Sequence, residues 1–195
     1  MFPEEFETER LRFVQVSLDT VDPLELYPYH STEEGIEEAT QYMSWNPHQT
    51  LKDTWDFVKQ VGDAVEAGNG AVYALYPKES ENGAGEFAGT TGLHCDWDKH
   101  TARFGIWLRK TFWGRGYSGE RATKLMEIAF EDLDLDLVAV EHAVENEKSR
   151  RAIEKYVAAH GGRLDGMIRN HLVLDGEPHD GLRYSISREE WEASR

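Results

Sequence analysis

Cysteine is nearly absent from this chain: Cys95 is the only one in 195 residues. A single thiol excludes an internal disulfide framework and a cysteine-based zinc site, so no metal is expected on that ground. Cys95 ends a strand-like run, where a thiol packs as a small hydrophobe. Long apolar runs are missing too. None approaches the ~18 residues that a membrane span needs. The opening MFPEEFETER lacks the basic start and apolar stretch of a secretory signal. These absences point to a cytoplasmic protein. Positive charge is scarce: 37 acidic residues stand against 21 basic ones, for a net charge of −16, and only eight of the basic residues are lysines. Nucleic acid and anionic membrane need a basic face and are excluded as expected partners. The acidic excess is spread along the chain. It repels itself in dilute buffer and is screened by salt, so the surface reads as salt-adapted; the alternative is an ordinary acidic protein with a cationic partner. There is no internal repeat, low-complexity segment or linker. One domain over residues 1–195 is expected, long enough to bury a sizeable core.

The most informative stretch that is present is 104–121, FGIWLRKTFWGRGYSGER. Phe104, Ile106 and Leu108 alternate as in a strand. A glycine turn follows, Trp113-Gly114-Arg115-Gly116-Tyr117, and then a helix. Glycines let backbone approach an anion closely, and the first N–H groups of a helix are free to donate to it. Arg115 adds a full positive charge. Taken alone the turn is weak, because Gly-x-Gly before a helix is also a common plain connection. Gly119 falls in the wrong place for the dinucleotide fingerprint, and the P-loop pattern is absent. The helix is better marked. Ala122, Leu125, Met126, Ala129, Phe130 and Leu133 form one apolar stripe. Glu120, Arg121, Lys124, Glu127 and Glu131 are expected on the opposite face.

Asp136–Val144, DLVAVEHAV, reads as a buried strand, followed by the turn Asn146-Glu147-Lys148-Ser149 and a second helix with Ala152, Ile153, Tyr156 and Val157 on one face. The two turns are then expected at the same ends of neighbouring parallel strands, where open sheets place ligands. Upstream, Arg10–Val16, Ala71–Tyr76 and Phe87–Cys95 read as strands, and residues 22–42 as short helices and loops. Thr50-Leu51-Lys52-Asp53 opens a capped helix whose stripe is Leu51, Trp55, Val58, Val61 and Val65. Downstream, Met167–Leu174 and Leu182–Ser187 read as strands flanking Asp175-Gly176, and Ser187 opens a short final helix.

The segment from Trp107 to Lys155 resembles the core of the GNAT N-acetyltransferase superfamily, and within it the branch that acetylates the N-termini of ribosomal proteins. The motifs that carry the likeness are Trp113–Tyr117 and Asn146-x-x-Ser149-x-x-x-Ile153-Glu154-Lys155, with Glu7–Arg12 and Arg188–Trp191 matching in type and place. The resemblance implies an α+β (mixed α/β) fold. Its central twisted, mixed, mostly antiparallel sheet would carry helices on both faces and a splayed parallel strand pair at the acetyl-CoA site. It implies acetyl-CoA as co-substrate, bound by Trp107, Leu108, Arg109, Trp113, Gly114, Arg115, Gly116, Tyr117, Ser118 and Asn146. Two departures matter. Thr111 stands where the turn often begins with Gln or Arg, and Ile153 stands where many members carry a tyrosine acid. Ser149 then takes the role of assisting the leaving thiolate.

Direct attack of an amine on the thioester needs both reactants positioned, the carbonyl polarised, a proton accepted and the thiolate assisted. Backbone N–H groups at the end of the 104–109 strand are the expected carbonyl partners. Asn146 can hold pantetheine or amine, or simply cap its helix, and the two are compatible. Ser149 can equally be a plain first-turn residue. The base is open: Glu141, His142 on the opposite strand face, His94, or water. Trp45, Asn46, Pro47 and His48 form an aromatic-polar turn that either lines the acceptor groove or packs in the core. The expected acceptor is a protein N-terminal α-amine. A small-molecule amine and a non-catalytic acyl-CoA-binding module remain as alternatives, and a homodimer is left open.

Overall fold

The computed structural model describes residues 1–195. Eight strands lie in one mixed sheet in the order β1-β2-β3-β4-β5-β6-β8-β7, accompanied by six helices. The chain divides into two compact units, residues 1–93 with 106–115, and residues 94–105 with 116–195.

In the first unit, β1 (Glu5–Glu7) pairs antiparallel with β2 (Leu11–Gln15), which pairs antiparallel with β3 (Gly70–Pro77). β1 was not expected. It has three residues, too few for a periodic signal. Helix α1 (Pro23–Ser31) starts on Asp22, whose side chain accepts from the N–H of Leu24, with proline at the first helical position where its missing N–H costs nothing. α2 (Ile36–Thr40) follows. α3 (Leu51–Glu66) begins with the expected capping box between Thr50 and Asp53. Val58 is fully buried, but Leu51 and Trp55 are exposed, so the expected stripe is core only at its centre. Val16, Leu26, Ile36, Val58, Phe87 and Trp107 belong to the core of this unit.

β4 (Gly89–Asp96) and β5 (Thr101–Leu108) are the strands through which the chain passes from one unit to the other. In the second unit, α4 (Tyr117–Glu127) begins directly at the glycine turn, and a π-helical turn at 128–132 extends it. The whole predicted stripe is buried there. So is Arg121, at 1% exposure, against the expectation that it faces water. Its guanidinium lies 5.7 Å from the ring of Phe104 and 5.8 Å from that of Tyr156, a partial replacement for water that leaves its Nε and Nη1 without a hydrogen-bond partner.

β6 (Leu137–Ala143) runs parallel to β5, with Thr101 opposite Leu137 and Phe104 opposite Val140. The ladder stops at Phe104–Val140 although both strands run on. On its other side β6 continues antiparallel to β8 (Glu177–Ser187) as far as Ala143–Gly181. α5 (Glu147–Ala159) packs on α4, β6 and β8. β7 (Arg163–Leu174) and β8 form a hairpin longer than predicted, turning at Asp175 and Gly176, both at positive φ as a tight two-residue turn requires. α6 (Arg188–Ala193) closes the chain with a capping box from Ser187 to Glu190.

Candidate active site

The glycine turn has the geometry of an anion site. Gly114 has φ +74° and Gly116 φ +81°, left-handed conformations in which a side chain is strained. A Cβ at Gly114 would meet nothing within 4 Å, so that backbone is open to approach. Within the turn, Trp113 N–H donates to Lys110 O and Gly119 N–H to Gly116 O. The N–H groups of Gly114, Arg115, Gly116 and Ser118 donate to nothing in the protein. Arg115 is fastened by its own backbone carbonyl, which accepts from Arg10, and by its guanidinium, which donates to Asn82 O and Thr111 O. No carboxylate neutralises it, so its charge remains available.

Arg109 and Leu108, also of the predicted cofactor set, have polar groups already in use. The buried Arg109 donates from Nε to Glu33 at 2.8 Å and from Nη1 to Phe87 O at 2.7 Å, and its guanidinium stacks 4.5 Å from the ring of Tyr29. Its N–H donates to Ala88 O and its carbonyl accepts from Phe112. Arg109 therefore braces its own unit, and its side chain and N–H are not free for a ligand. The carbonyl of Leu108 accepts the indole N–H of Trp113 at 2.8 Å. Trp107 is buried at ring-centroid distances of 4.9 Å from His30 and 5.4 Å from Trp45, and its indole N–H has no partner. Tyr117 is buried at the start of α4. The Trp45–His48 turn joins this aromatic cluster: His48 stacks 5.1 Å from His30 and its Nδ1 lies 2.8 Å from Thr54 Oγ1.

Asn146 does cap α5. Its Oδ1 accepts from the N–H of Ser149 at 3.1 Å. The cap uses the oxygen and leaves the amide NH2 without a partner. The Ser149 hydroxyl, half-buried, also has no partner. Both groups named for chemistry at this turn therefore keep a donor in reserve.

A cleft of about 340 Å³ opens in the second unit, lined by His94, Arg103, Phe104, Gly105, Ala139, Glu141 and Leu172. It lies where the β5–β6 ladder stops, since Glu141 is the first β6 residue beyond the last pair. The carboxylate of Glu141 comes within 2.9 Å of His171 Nε2 and 3.6 Å of Arg183 Nε, its cross-strand neighbour on β8. His142 points the other way. It is buried, stacks 5.7 Å from Tyr184, and donates from Nδ1 to the carbonyl of Ala143. Of the two strand neighbours, only Glu141 lines the cleft. His94 also lines it, and desolvation there, with Arg103 as the lesser cause, holds its imidazole below the ordinary histidine pKa.

The family model for the acetyltransferase (GNAT) domain matches residues 10–156. The chain belongs to the GNAT acetyltransferase family. Among curated relatives, it is 37% identical over 112 residues to "Putative ribosomal N-acetyltransferase YdaF" of Bacillus subtilis. That match covers 57% of this chain and 59% of the relative, less than two thirds of its length. A GCN5-related N-acetyltransferase of Brucella melitensis superposes with a TM-score of 0.81 at 23% identity, covering 100% of this chain and 83% of that one. The microcin C7 self immunity acetyltransferase MccE, solved with acetyl-CoA and AMP, superposes with a TM-score of 0.80 at 18% identity, covering 95% and 97%. At those identities the two structures show a shared GNAT fold.

Within this GNAT chain, two site features escaped sequence reasoning. His171 reaches Glu141 because β7 carries a bulge: Ile168 faces Gly181 and Leu172 faces His179, so four steps on β7 match two on β8. Asn170, at φ +51°, sits inside the bulge, and its N–H donates to Asp180. Gly181 gives the imidazole room, since a Cβ there would lie 3.0 Å from its Cδ2. The asparagine before His171 and the glycine at 181 were the available signals. The unpaired Arg103 was the other omission.

Proposed function

We propose that residues 1–195 act as one N-acetyltransferase domain that moves the acetyl group of acetyl-CoA to a primary amine by direct attack in a ternary complex. The observation that carries this reading is the set of four unpaired N–H groups on the left-handed glycine turn at the start of α4. They suit a pyrophosphate at a helix N-terminus, and Arg115 adds an unneutralised cation. The family match supplies the chemistry of the group transferred.

In the proposed reaction the amine nitrogen attacks the thioester carbonyl and the C–S bond breaks. Glu141 accepts the proton from nitrogen. Its two oxygens have four lone-pair sites, of which His171 and Arg183 occupy no more than one each, so acceptor capacity remains. The CoA sulfur leaves as thiolate and is met by the free hydroxyl of Ser149, with the Asn146 amide available to the pantetheine chain or the amine.

The acceptor we infer is the α-amine of a protein N-terminus, of the ribosomal type named for the 37% identical relative. An α-amine, with a pKa near ~8, is easier to deprotonate than a lysine near ~10.4, which suits a single carboxylate base. The second reading, a small-molecule amine, is favoured by the size of the cleft: about 340 Å³ is near the lower end of ligand pockets. Release of CoA thiol from acetyl-CoA decides the matter, with lysine-containing peptides of free and blocked N-terminus set against small amines. Selective turnover of the free N-terminus is the expected result. Turnover of small amines alone promotes the second reading, and no thiol release with any amine leaves a non-catalytic acyl-CoA-binding module.

A further inference from the structure

The net charge of −16 suggests a negative acceptor cleft, but its lining is mixed. Glu141 is the one carboxylate among the lining residues, and it already has Arg183 and His171 beside it. Arg183 also reaches Asp165, at 3.4 Å. Arg103 is different. It projects from β5 on the cleft side, is exposed, and forms no ion pair or hydrogen bond with any residue. The carboxylate that it feels, Asp96, is held by Lys99 at 2.6 Å. An unpaired arginine in a chain with so many spare carboxylates needs an explanation. Guanidinium groups bind carboxylates well because their parallel N–H donors match the two oxygens.

Position supplies one. In the ladder Arg103 faces Ala139, and Glu141 lies two residues further along the same face of β6. Strand spacing and rise put the two Cα atoms about 8 Å apart. One end of the cleft can take an ammonium or amine proton, and the other a compact anion. We propose that this cleft selects acceptors in which a carboxylate lies a few bonds from the reacting amine, with Arg103 binding the carboxylate while Glu141 addresses the nitrogen. This rests on the reading of the cleft as the acceptor site. It adds the substrate class, an N-terminus followed by an acidic residue or a free amino acid, and it makes Arg103 the specificity-determining residue. A neutral or basic second residue leaves the guanidinium without a partner or repelled.

The test is kcat/KM for peptides identical except for Glu, Gln or Lys at the second position, and for free glutamate against its α-carboxamide. The enzymes are the wild type and the Arg103→Gln, Arg103→Glu and Arg103→Lys variants. Arg103 has no partner in the fold, so unchanged melting temperatures are expected as the folding control. The wild type should prefer the Glu peptide to the Gln peptide by at least about tenfold, the scale of one good charged contact. Arg103→Gln should erase the preference, Arg103→Glu should invert it toward the Lys peptide, and Arg103→Lys should keep most of it. Loss of rate with the carboxamide would identify the α-carboxylate of a free amino acid as the anion bound. Equal rates with the Glu and Gln peptides together with equal rates for glutamate and its α-carboxamide in the wild type, or a preference that survives Arg103→Glu, would overturn the proposal and leave the acetyltransferase reading intact. Turnover that neither Glu141→Gln nor His94→Gln changes would remove the cleft itself as the acceptor site, and the proposal with it. If every amine fails while calorimetry shows acetyl-CoA bound, the transferase reading fails first.

Discussion

His171 Nε2 stands 2.9 Å from Glu141 Oε2, and this contact ties the edge hairpin to the carboxylate in the cleft. Arg183 reaches the other oxygen from β8. The side chain proposed to take the proton is therefore flanked from two strands. Glu141→Gln keeps the shape and removes the base. It should lower kcat by ~10²-fold or more, as for a general base, with acetyl-CoA affinity unchanged. Steady-state kinetics beside calorimetry check this; an unaltered kcat moves the role to His94 or to water.

Gly116, at φ +81°, separates a binding effect from a folding effect. Gly116→Val places a branched side chain in the left-handed region at about 1–2 kcal/mol of strain and crowds the N–H groups of the turn. CoA affinity should fall at least tenfold, about 1.4 kcal/mol. Calorimetry on protein shown to be folded by its melting transition is the measurement, and unchanged affinity would mean that the pyrophosphate binds elsewhere.

The Ser149 hydroxyl has no bond to lose in the fold, so Ser149→Ala is a clean substitution. It should reduce kcat by ~10-fold or more while leaving the acetyl-CoA KM little changed, the pattern of a contact made in the transition state. A kcat within about twofold of wild type would assign thiolate assistance to another group.

His30 makes stability depend on pH. Burial is the main cause, opposed by its contact with Leu26 O and reinforced by His48, and its pKa falls from 6.5 to about 4. The unfolded chain therefore binds a proton before the native state does. The stability this group contributes is fully present above pH 6.5 and is lost progressively as pH falls toward 4, by ~3 kcal/mol in all. Urea unfolding at pH 7, 6, 5 and 4 should show the decline, and His30→Gln should flatten it. Parallel curves for the two proteins would refute the assignment.

Charge on the whole molecule predicts a salt effect. With a net charge of −16, raising potassium chloride from low to molar concentration should raise the melting temperature, because screening relieves repulsion among carboxylates. A melting temperature that stays flat or falls would argue for an ordinary acidic surface.

The sequence revealed what depends on neighbours along the chain. The turn at Gly114 and Gly116, the stripe from Ala122 to Phe130 and the caps at Thr50, Asn146 and Ser187 each follow from local spacing. What it hid depends on partners brought from far away. Arg109 entered the cofactor set through the family resemblance alone, and its partner Glu33, 76 residues distant, is out of reach of any local reading. Arg121 looked like a surface residue because charge was its only local attribute, and the rings of Phe104 and Tyr156 are what bury it. Helical periodicity says nothing of either. The bulge that aims His171 is equally silent, because it shows only once two strands are in register.

That bulge has an evolutionary consequence. The hairpin bearing it includes the sheet's outermost strand, where insertions and substitutions disturb little of the core. Changes at Gly166 or Asn170 on the strand that carries His171, or at Gly181 opposite it, would shift His171 and so reset its approach to Glu141 without touching the glycine turn. On the roles proposed for cleft and turn, acceptor preference and donor binding can then drift separately. A library randomised over residues 166–171 and selected on a foreign amine should yield variants with new acceptors and unchanged CoA affinity.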